Sequence, residues 1–226
     1  MKLKLIEKHK ETKDIITFIF EPEIPIKWVA GQYLIYSLPH NNQDIRGKMR
    51  FFTISSAPFE KNPAITTRIS KNKGSSFKKA LDNLKIGSII KAKGPDGDFL
   101  VNNSNKKHAF LAGGVGITPF ASIIKQLNYE KKQIGVTLFY TSNNGFAFKE
   151  AFDKIQKKHK EFKIYYLKER INKNILKQKL NNFKNFIFYV SGSDPMVEQT
   201  EKILCELGVK KENIKTDYFS GYNKEN

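Results

Sequence analysis

Leu111-Ala112-Gly113-Gly114-Val115-Gly116-Ile117-Thr118-Pro119 reads as a buried strand running into a glycine-rich turn and then a helix with proline at its first position. Glycines let a backbone approach a pyrophosphate closely, and a helix N-terminus offers unpaired N–H groups and a favourable dipole. Phosphate charge is then met by backbone rather than by side chains. A tight turn without a ligand would carry the same glycines, but its place at the first junction of an alternating series favours the binding reading.

That series fills the second half of the chain. Strands over 109–112, 136–140, 164–167, 186–190 and 214–219 alternate with helices over 119–127, 148–158, 172–180 and 195–207. Alternation of this kind implies a doubly wound parallel five-stranded α/β sheet, with ligands at the carboxyl ends of its strands. The first hundred residues have another rhythm. Alternating or β-branched apolar segments lie at 2–8, 14–20, 32–38, 50–55, 64–70 and 88–93, punctuated by Gly31, Pro39, Gly47, Pro58, Pro63 and Gly87. Phe77, Ala80, Leu81 and Leu84 keep helical spacing, with Ser75 or Ser76 as N-cap. Six short strands and one helix predict an antiparallel Greek-key β-barrel. The polar stretch 101–106 is the natural linker, giving domains over 1–103 and 104–226.

A length of 226 residues suits two such domains, and 39% hydrophobic and 12% aromatic residues suit a folded chain. One cysteine, Cys205, excludes an intrachain disulfide framework, an iron–sulfur cluster held within the chain and a zinc ribbon. It falls among Met196, Val197, Thr200, Ile203, Leu204 and Leu207, the pattern of a packed helix. His9, His40, His108 and His159 show no metal-ligand spacing, so no metal site is expected. No apolar run approaches the ~18 residues of a membrane span. The stretch from Met1 to Lys8 alternates like a first strand rather than a signal peptide, which places the protein in the cytoplasm.

A net charge of +18 raises a nucleic-acid reading. Arginine occurs only at 46, 50, 68 and 170, however, so the charge is nearly all scattered lysine, and no nucleic-acid motif accompanies it. Acidic partners are the better match.

Further motifs surround the glycine turn. In Arg50-Phe51-Phe52-Thr53, an arginine able to pair bidentately with phosphate shares a strand face with Phe52, and Thr53 adds a hydroxyl. Taken alone, this is a barrel strand with core aromatics. Gly74-Ser75-Ser76-Phe77 opens the only helix of the first half, either as a second phosphate site or as an ordinary N-cap. Val190-Ser191-Gly192-Ser193-Asp194-Pro195 repeats the strand–turn–helix logic, with Asp194 as N-cap and Pro195 as first helical residue, at the same crevice as the glycine turn.

In this order, and over nearly the whole chain, these elements resemble the ferredoxin–NADP reductase superfamily. The resemblance implies FAD and NADH or NADPH as cofactors. Arg50 would contact the FAD pyrophosphate, Phe52 would pack on the isoalloxazine, and Thr53 would hydrogen-bond near its N5. Gly74, Ser75 and Ser76 match the second FAD-phosphate segment, and Gly113, Gly114, Gly116, Thr118 and Pro119 the dinucleotide turn. Gly192 and Pro195 match the later Cys-Gly-x-x-Pro segment, and Arg68 joins the cofactor-binding set. Two departures stand out. Phe52 replaces the usual tyrosine, and Ser191 replaces the usual cysteine beside the nicotinamide, a change that either slows hydride transfer or is neutral. Tyr218 and Phe219 in the tail Thr216–Tyr222 offer aromatics for the other flavin face, with Tyr218 alternatively a core residue.

The function implied is an FAD-dependent oxidoreductase in which hydride passes between NAD(P)H and flavin, with Thr53 and Ser191 nearest the chemistry. Electrons would go on to ferredoxin, flavodoxin or a small acceptor. Rivals are a flavin reductase that releases reduced flavin, and a non-catalytic flavin- or dinucleotide-sensing module. The loop Tyr140–Gly145, after the second parallel strand, carries no arginine, which leans slightly to NADH.

Overall fold

A computed structural model describes residues 1–70, 74–101 and 107–219. The first half forms β1 (Lys2–Lys10), β2 (Ile15–Pro22), β3 (Tyr33–Ser37), β4 (Met49–Thr53), β5 (Ala64–Arg68) and β6 (Ile89–Asp96). All pair antiparallel in the order β4-β3-β6-β1-β2-β5, and β4 comes back against β5 to bring the sheet close to a closed barrel. Period-two alternation drives this closure: Leu3, Leu5, Phe18, Phe20, Leu34 and Tyr36 point inward without exposure, while Lys2 and Lys4 face water. Helix α1 (Ser76–Asn83) packs Phe77 and Leu81, both fully buried, into the barrel core.

The second half forms β7 (Lys107–Gly113), α2 (Thr118–Tyr129), β8 (Val136–Thr141), α3 (Lys149–Lys158), β9 (Lys163–Leu167), α4 (Lys173–Lys179), β10 (Phe186–Gly192), α5 (Asp194–Glu206) and β11 (Ile214–Tyr218). Its strands are parallel in the order β11-β10-β7-β8-β9. The chain starts at the sheet's centre, builds outward through β8 and β9, then crosses back to β10, so the topological switch point lies between β7 and β10. Alternation sorts β7 between two apolar layers. Ala109 and Leu111 join Phe139, Phe188 and Val190 on one face, and Phe110 and Ala112 join Leu138, Tyr140 and Tyr189 on the other. Cys205 lies half-buried on α5 against the first of these layers, the packed helix position expected.

The second layer does not stop at the sheet. Ile15, Ala30 and Phe99 of the barrel half belong to it, so one apolar core crosses between the halves. Polar and aromatic ties reinforce the crossing: Ser122 Oγ donates to the Ser56 carbonyl at 2.7 Å, Lys125 pairs with Glu60 at 2.6 Å, and Phe59 stacks on Tyr129 at 4.3 Å.

Every expected strand and helix is present, with ends displaced by up to three residues, as β6 runs to Asp96 where 93 was expected and β4 stops at Thr53 where 55 was expected. Helix α5 starts at Asp194 with Ser193 as its N-cap residue, so Asp194 is not the cap and Pro195 is the second helical residue. Pro119 is likewise second in α2, after Thr118. Proline fits either place, because the N–H it lacks has no partner in a first turn. Linker residues 102–106 and the tail's Ser220, Gly221 and Tyr222 lie outside the described residues. Among the described residues, no helix is long and apolar enough to cross a membrane.

Candidate functional site

On the barrel side, two of the expected motifs converge. The Arg50 guanidinium lies over the Phe77 ring at 5.5 Å, and the Phe52 ring sits 5.8 Å from the same ring. Arg50 and Phe52 therefore share a face of β4, as the two-residue spacing requires, and that face meets the first turn of α1. Phe52 also touches Tyr36 edge-on at 6.0 Å, so it is anchored in the barrel core. Thr53 is nearly buried at the end of β4. Ser75 is the cap of α1, its hydroxyl accepting from Lys78 N at 3.3 Å. Ser76 turns its hydroxyl to the loop before β4, accepting from Asp44 N at 2.9 Å, with His40 Nε2 also at 2.9 Å.

Asp44 is the residue at this end that sequence reasoning missed. Its Oδ2 accepts from Ser76 N at 2.8 Å and from Arg46 at 2.9 Å, and its Oδ1 takes Arg50 Nη2 at 3.3 Å. Burial pushes its carboxyl up, but hydrogen bonds from the Arg46 side chain and from the Ser76 and Arg46 backbone outweigh that and hold it well below the usual carboxylate range.

Across the crevice, β7 ends in the glycine turn, which folds as a 3-10 turn over Gly114–Ile117 before α2. Its glycines do different jobs. A Cβ on Gly113 would meet the flexible Met196 side chain first, at 3.2 Å from Sδ. A Cβ on Gly116 would lie 2.2 Å from the Ser191 carbonyl oxygen, so this glycine exists to let the turn pack on β10. Thr118 is also structural, its buried hydroxyl donating to the Val115 carbonyl at 3.1 Å, and Pro119 is buried beside it. Gly113 and Gly192 lie side by side at the ends of β7 and β10, where the switch point opens. Arg68 reaches this turn from the barrel, its Nη2 3.3 Å from where a Gly114 Cβ would stand, while Asp14 pairs with its Nε at 3.0 Å.

Ser191 is fully buried, and its hydroxyl donates to Asp217 Oδ2 at 3.3 Å, an arrangement fixed by the parallel register that sets Ser191 opposite Asp217. Burial pushes the Asp217 carboxyl up to about 6, the Ser191 hydrogen bond opposing and Asp98 adding to the rise. Tyr218 is 44% exposed, so it is not a core residue, whereas Phe219 packs on the shared core and its N–H donates to the Gly192 carbonyl at 2.8 Å. Beside Met196, a cleft at the ends of β8, β9 and β10 is lined by Thr141, Arg170, Ser193 and Gln199. Arg170 carries no motif that marks it in the sequence: it follows β9, whereas the ribose-side loop of such folds follows β8.

The donor set fits a flavin diphosphate at Arg50 and α1, and a dinucleotide at Gly113, Gly192 and Arg68: a guanidinium, helix N–H groups and Cβ-free backbone at strand ends. Comparison with known proteins agrees. Residues 2–100 match the oxidoreductase FAD-binding domain family, and residues 110–202 match the oxidoreductase NAD-binding domain family. Flavohemoprotein A of Dictyostelium discoideum is 28% identical over 236 residues, covering 94% of this chain and 58% of that protein. The chain thus spans about three fifths of that relative's length. The FAD/NAD-binding domain of nitric oxide dioxygenase from Vibrio cholerae has the same fold, with a TM-score of 0.83 at 22% identity over 96% of this chain and 98% of that one. So does ferredoxin–NADP+ reductase from Plasmodium falciparum, with a TM-score of 0.81 at 18% identity over 96% and 95% of the two chains.

Proposed function

The chain belongs to the ferredoxin–NADP reductase superfamily, with its FAD-binding and NAD-binding domains, and from that membership we propose an FAD-dependent oxidoreductase that takes hydride from a nicotinamide dinucleotide and relays electrons to an acceptor. The observation that carries this reading is the convergence of Arg50, Phe52 and the first turn of α1 at one end of the barrel, together with a β7–β10 switch point that Arg68 of the barrel reaches at Gly114. When bound, the flavin supplies the hydride-accepting and electron-relaying chemistry.

The chain's residues bind and orient. The guanidinium of Arg50 and the N–H groups at Gly74, Ser75 and Ser76 hold the diphosphate, and Phe52 backs the ring system with Thr53 beside it. Gly113, Gly114 and Gly192 let the dinucleotide approach the backbone, and Arg68 stands across the crevice at its phosphates. Gly116, Thr118, Pro119 and Pro195 hold the turn and α5 in place. Ser191, oriented by Asp217, takes the position of the superfamily's cysteine. Tyr218 is exposed beside β10 and available to cover the outer ring face, with Phe219 as its anchor. Domains over 1–103 and 104–226 divide these roles.

Lysine-rich positive charge suits an acidic carrier, a ferredoxin or flavodoxin, ahead of a small acceptor. A cytoplasmic location, expected from the strand-like alternation of Met1–Lys8, is checked by cell fractionation.

The test is an anaerobic absorbance titration of the FAD-reconstituted chain with NADH and, separately, NADPH. Bleaching of the flavin's visible bands by either donor is expected. A chain that retains no FAD overturns the reading. One that retains FAD but is reduced by neither donor is a sensing module.

A further inference from the structure

We infer that Asp44 is an internal anion that competes with the flavin's phosphates for Arg50 and the first turn of α1, and so sets the flavin's affinity and rate of exchange. This rests on the flavin reading above and goes beyond it.

Three features of the loop before β4 lead there. First, the donors a phosphate would use already serve a carboxylate: Ser76 N donates to Asp44 Oδ2 at 2.8 Å, and Arg50 Nη2 to Oδ1 at 3.3 Å. Arg50 Nη1 is committed to the carbonyls of Arg46, Gly47 and Met49. Carboxylate and phosphate seek the same donors and repel one another when close. Second, protonation gives no relief near neutral pH, since the Asp44 carboxyl is held well below the usual range.

Third, the segment can leave without unpacking the core. From Asp44 onward its ties to α1 are hydrogen bonds to Ser76, the one ring contact being His40 edge-on to Phe77 at 6.3 Å, and its large apolar side chain, Ile45, is 98% exposed. Left-handed residues flank Asp44 on either side, Asn42 at φ 54° and Gly47 at φ 65°, where a small backbone rotation would swing the carboxylate away.

Competition predicts a specificity pattern that a merely structural role would not produce. Kd values for FAD and for riboflavin, which carries no phosphate, would be measured on the flavin-free full chain by quenching of flavin fluorescence. Asp44→Asn should tighten FAD by about tenfold or more, the size expected for removing one like-charge contact, and leave riboflavin within about twofold. FAD binding unchanged or weakened in Asp44→Asn overturns the inference and makes Asp44 an orienting partner of Arg50. Should that variant fail to fold, hydrogen exchange on the native chain decides. Amides of 42–47 should lose protection when FAD is added, and a gain there overturns the inference. A native chain that binds neither flavin overturns the parent reading instead, and this inference with it.

Discussion

Replacing Gly116 by alanine would set a methyl group 2.2 Å from the Ser191 carbonyl oxygen, 2.5 Å from its carbon and 2.7 Å from Gly192 N. Even close carbon–oxygen contacts in proteins stand at about 3.3 Å, so the turn and β10 must part by roughly an ångström. Neither is free to do so. β10 is hydrogen-bonded to β7 on one side and β11 on the other, and Ser191 and Gly192 sit within those ladders. Overpacking costs about 1–3 kcal/mol, and stretching one or two ladder bonds adds about 1 kcal/mol each. A loss of about 3 kcal/mol is expected. Gly113→Ala, three residues away in the same motif, has as its nearest neighbour Met196, whose side chain can turn aside. Its cost should stay below about 1 kcal/mol. Urea unfolding of both variants, followed by circular dichroism and by fluorescence of the buried Trp28, measures the difference. Dinucleotide binding should show the opposite weighting, because the Gly113 methyl stands at the strand end where the ligand approaches. Equal losses of stability, or a larger loss at Gly113, would refute the division of labour between these glycines.

Other substitutions bear on single groups. Asp217, at about 6 in place of its ordinary 3.8, favours the fold fully below pH ~3.8, and that contribution is lost as pH rises through 6. Burying its charge at pH 8 therefore costs about 3 kcal/mol. Asp217→Asn should gain on the native chain by that amount between pH 4 and 8, and a pH-independent difference in urea midpoints would count against it. Tyr36 buries its hydroxyl completely with no hydrogen-bond partner among the described residues. Tyr36→Phe should raise stability by about 1 kcal/mol; a comparable loss in thermal or urea unfolding would mean the hydroxyl holds a bond after all. Arg170 lines the cleft beside Met196 with Thr141 and Ser193, a setting for the 2′-phosphate that separates NADPH from NADH. Arg170→Ala should weaken NADPH by roughly tenfold and NADH little, a charge-assisted bidentate contact being worth about that much. Equal effects on the two donors in a binding titration would leave Arg170 outside the site.

The parts of the fold set by periodicity were readable directly. Ala109 and Leu111 alternate with Phe110 and Ala112, and the structure sorts them onto opposite faces of the sheet. Strand order explains why the motifs meet: β7 and β10 become neighbours only after the chain crosses back, which brings Gly113 beside Gly192. What escaped the sequence depends on contacts between segments that carry no periodic signal. Asp44 lies in a loop and meets Ser76, 32 positions on, only because the loop folds over α1. Asp217 looks like any strand residue until the parallel register sets it opposite Ser191. Arg170 is hidden in the sequence because it reaches the end of β8 from the loop after β9, its neighbour in the sheet and not in the chain. The one-residue shifts at Asp194 and Pro119 are the ordinary softness of helix starts.

The apolar layer that Ile15, Ala30 and Phe99 share with Phe110 and Phe120 fastens the two halves together. Opening the halves like a hinge would wet that layer, so hinge motion at this seam is opposed while exposed side chains such as Tyr218 stay free to turn. Side-chain turning runs in picoseconds to nanoseconds, hinge motion in microseconds to milliseconds. With the slower class opposed, the motion left at this seam is the quick kind.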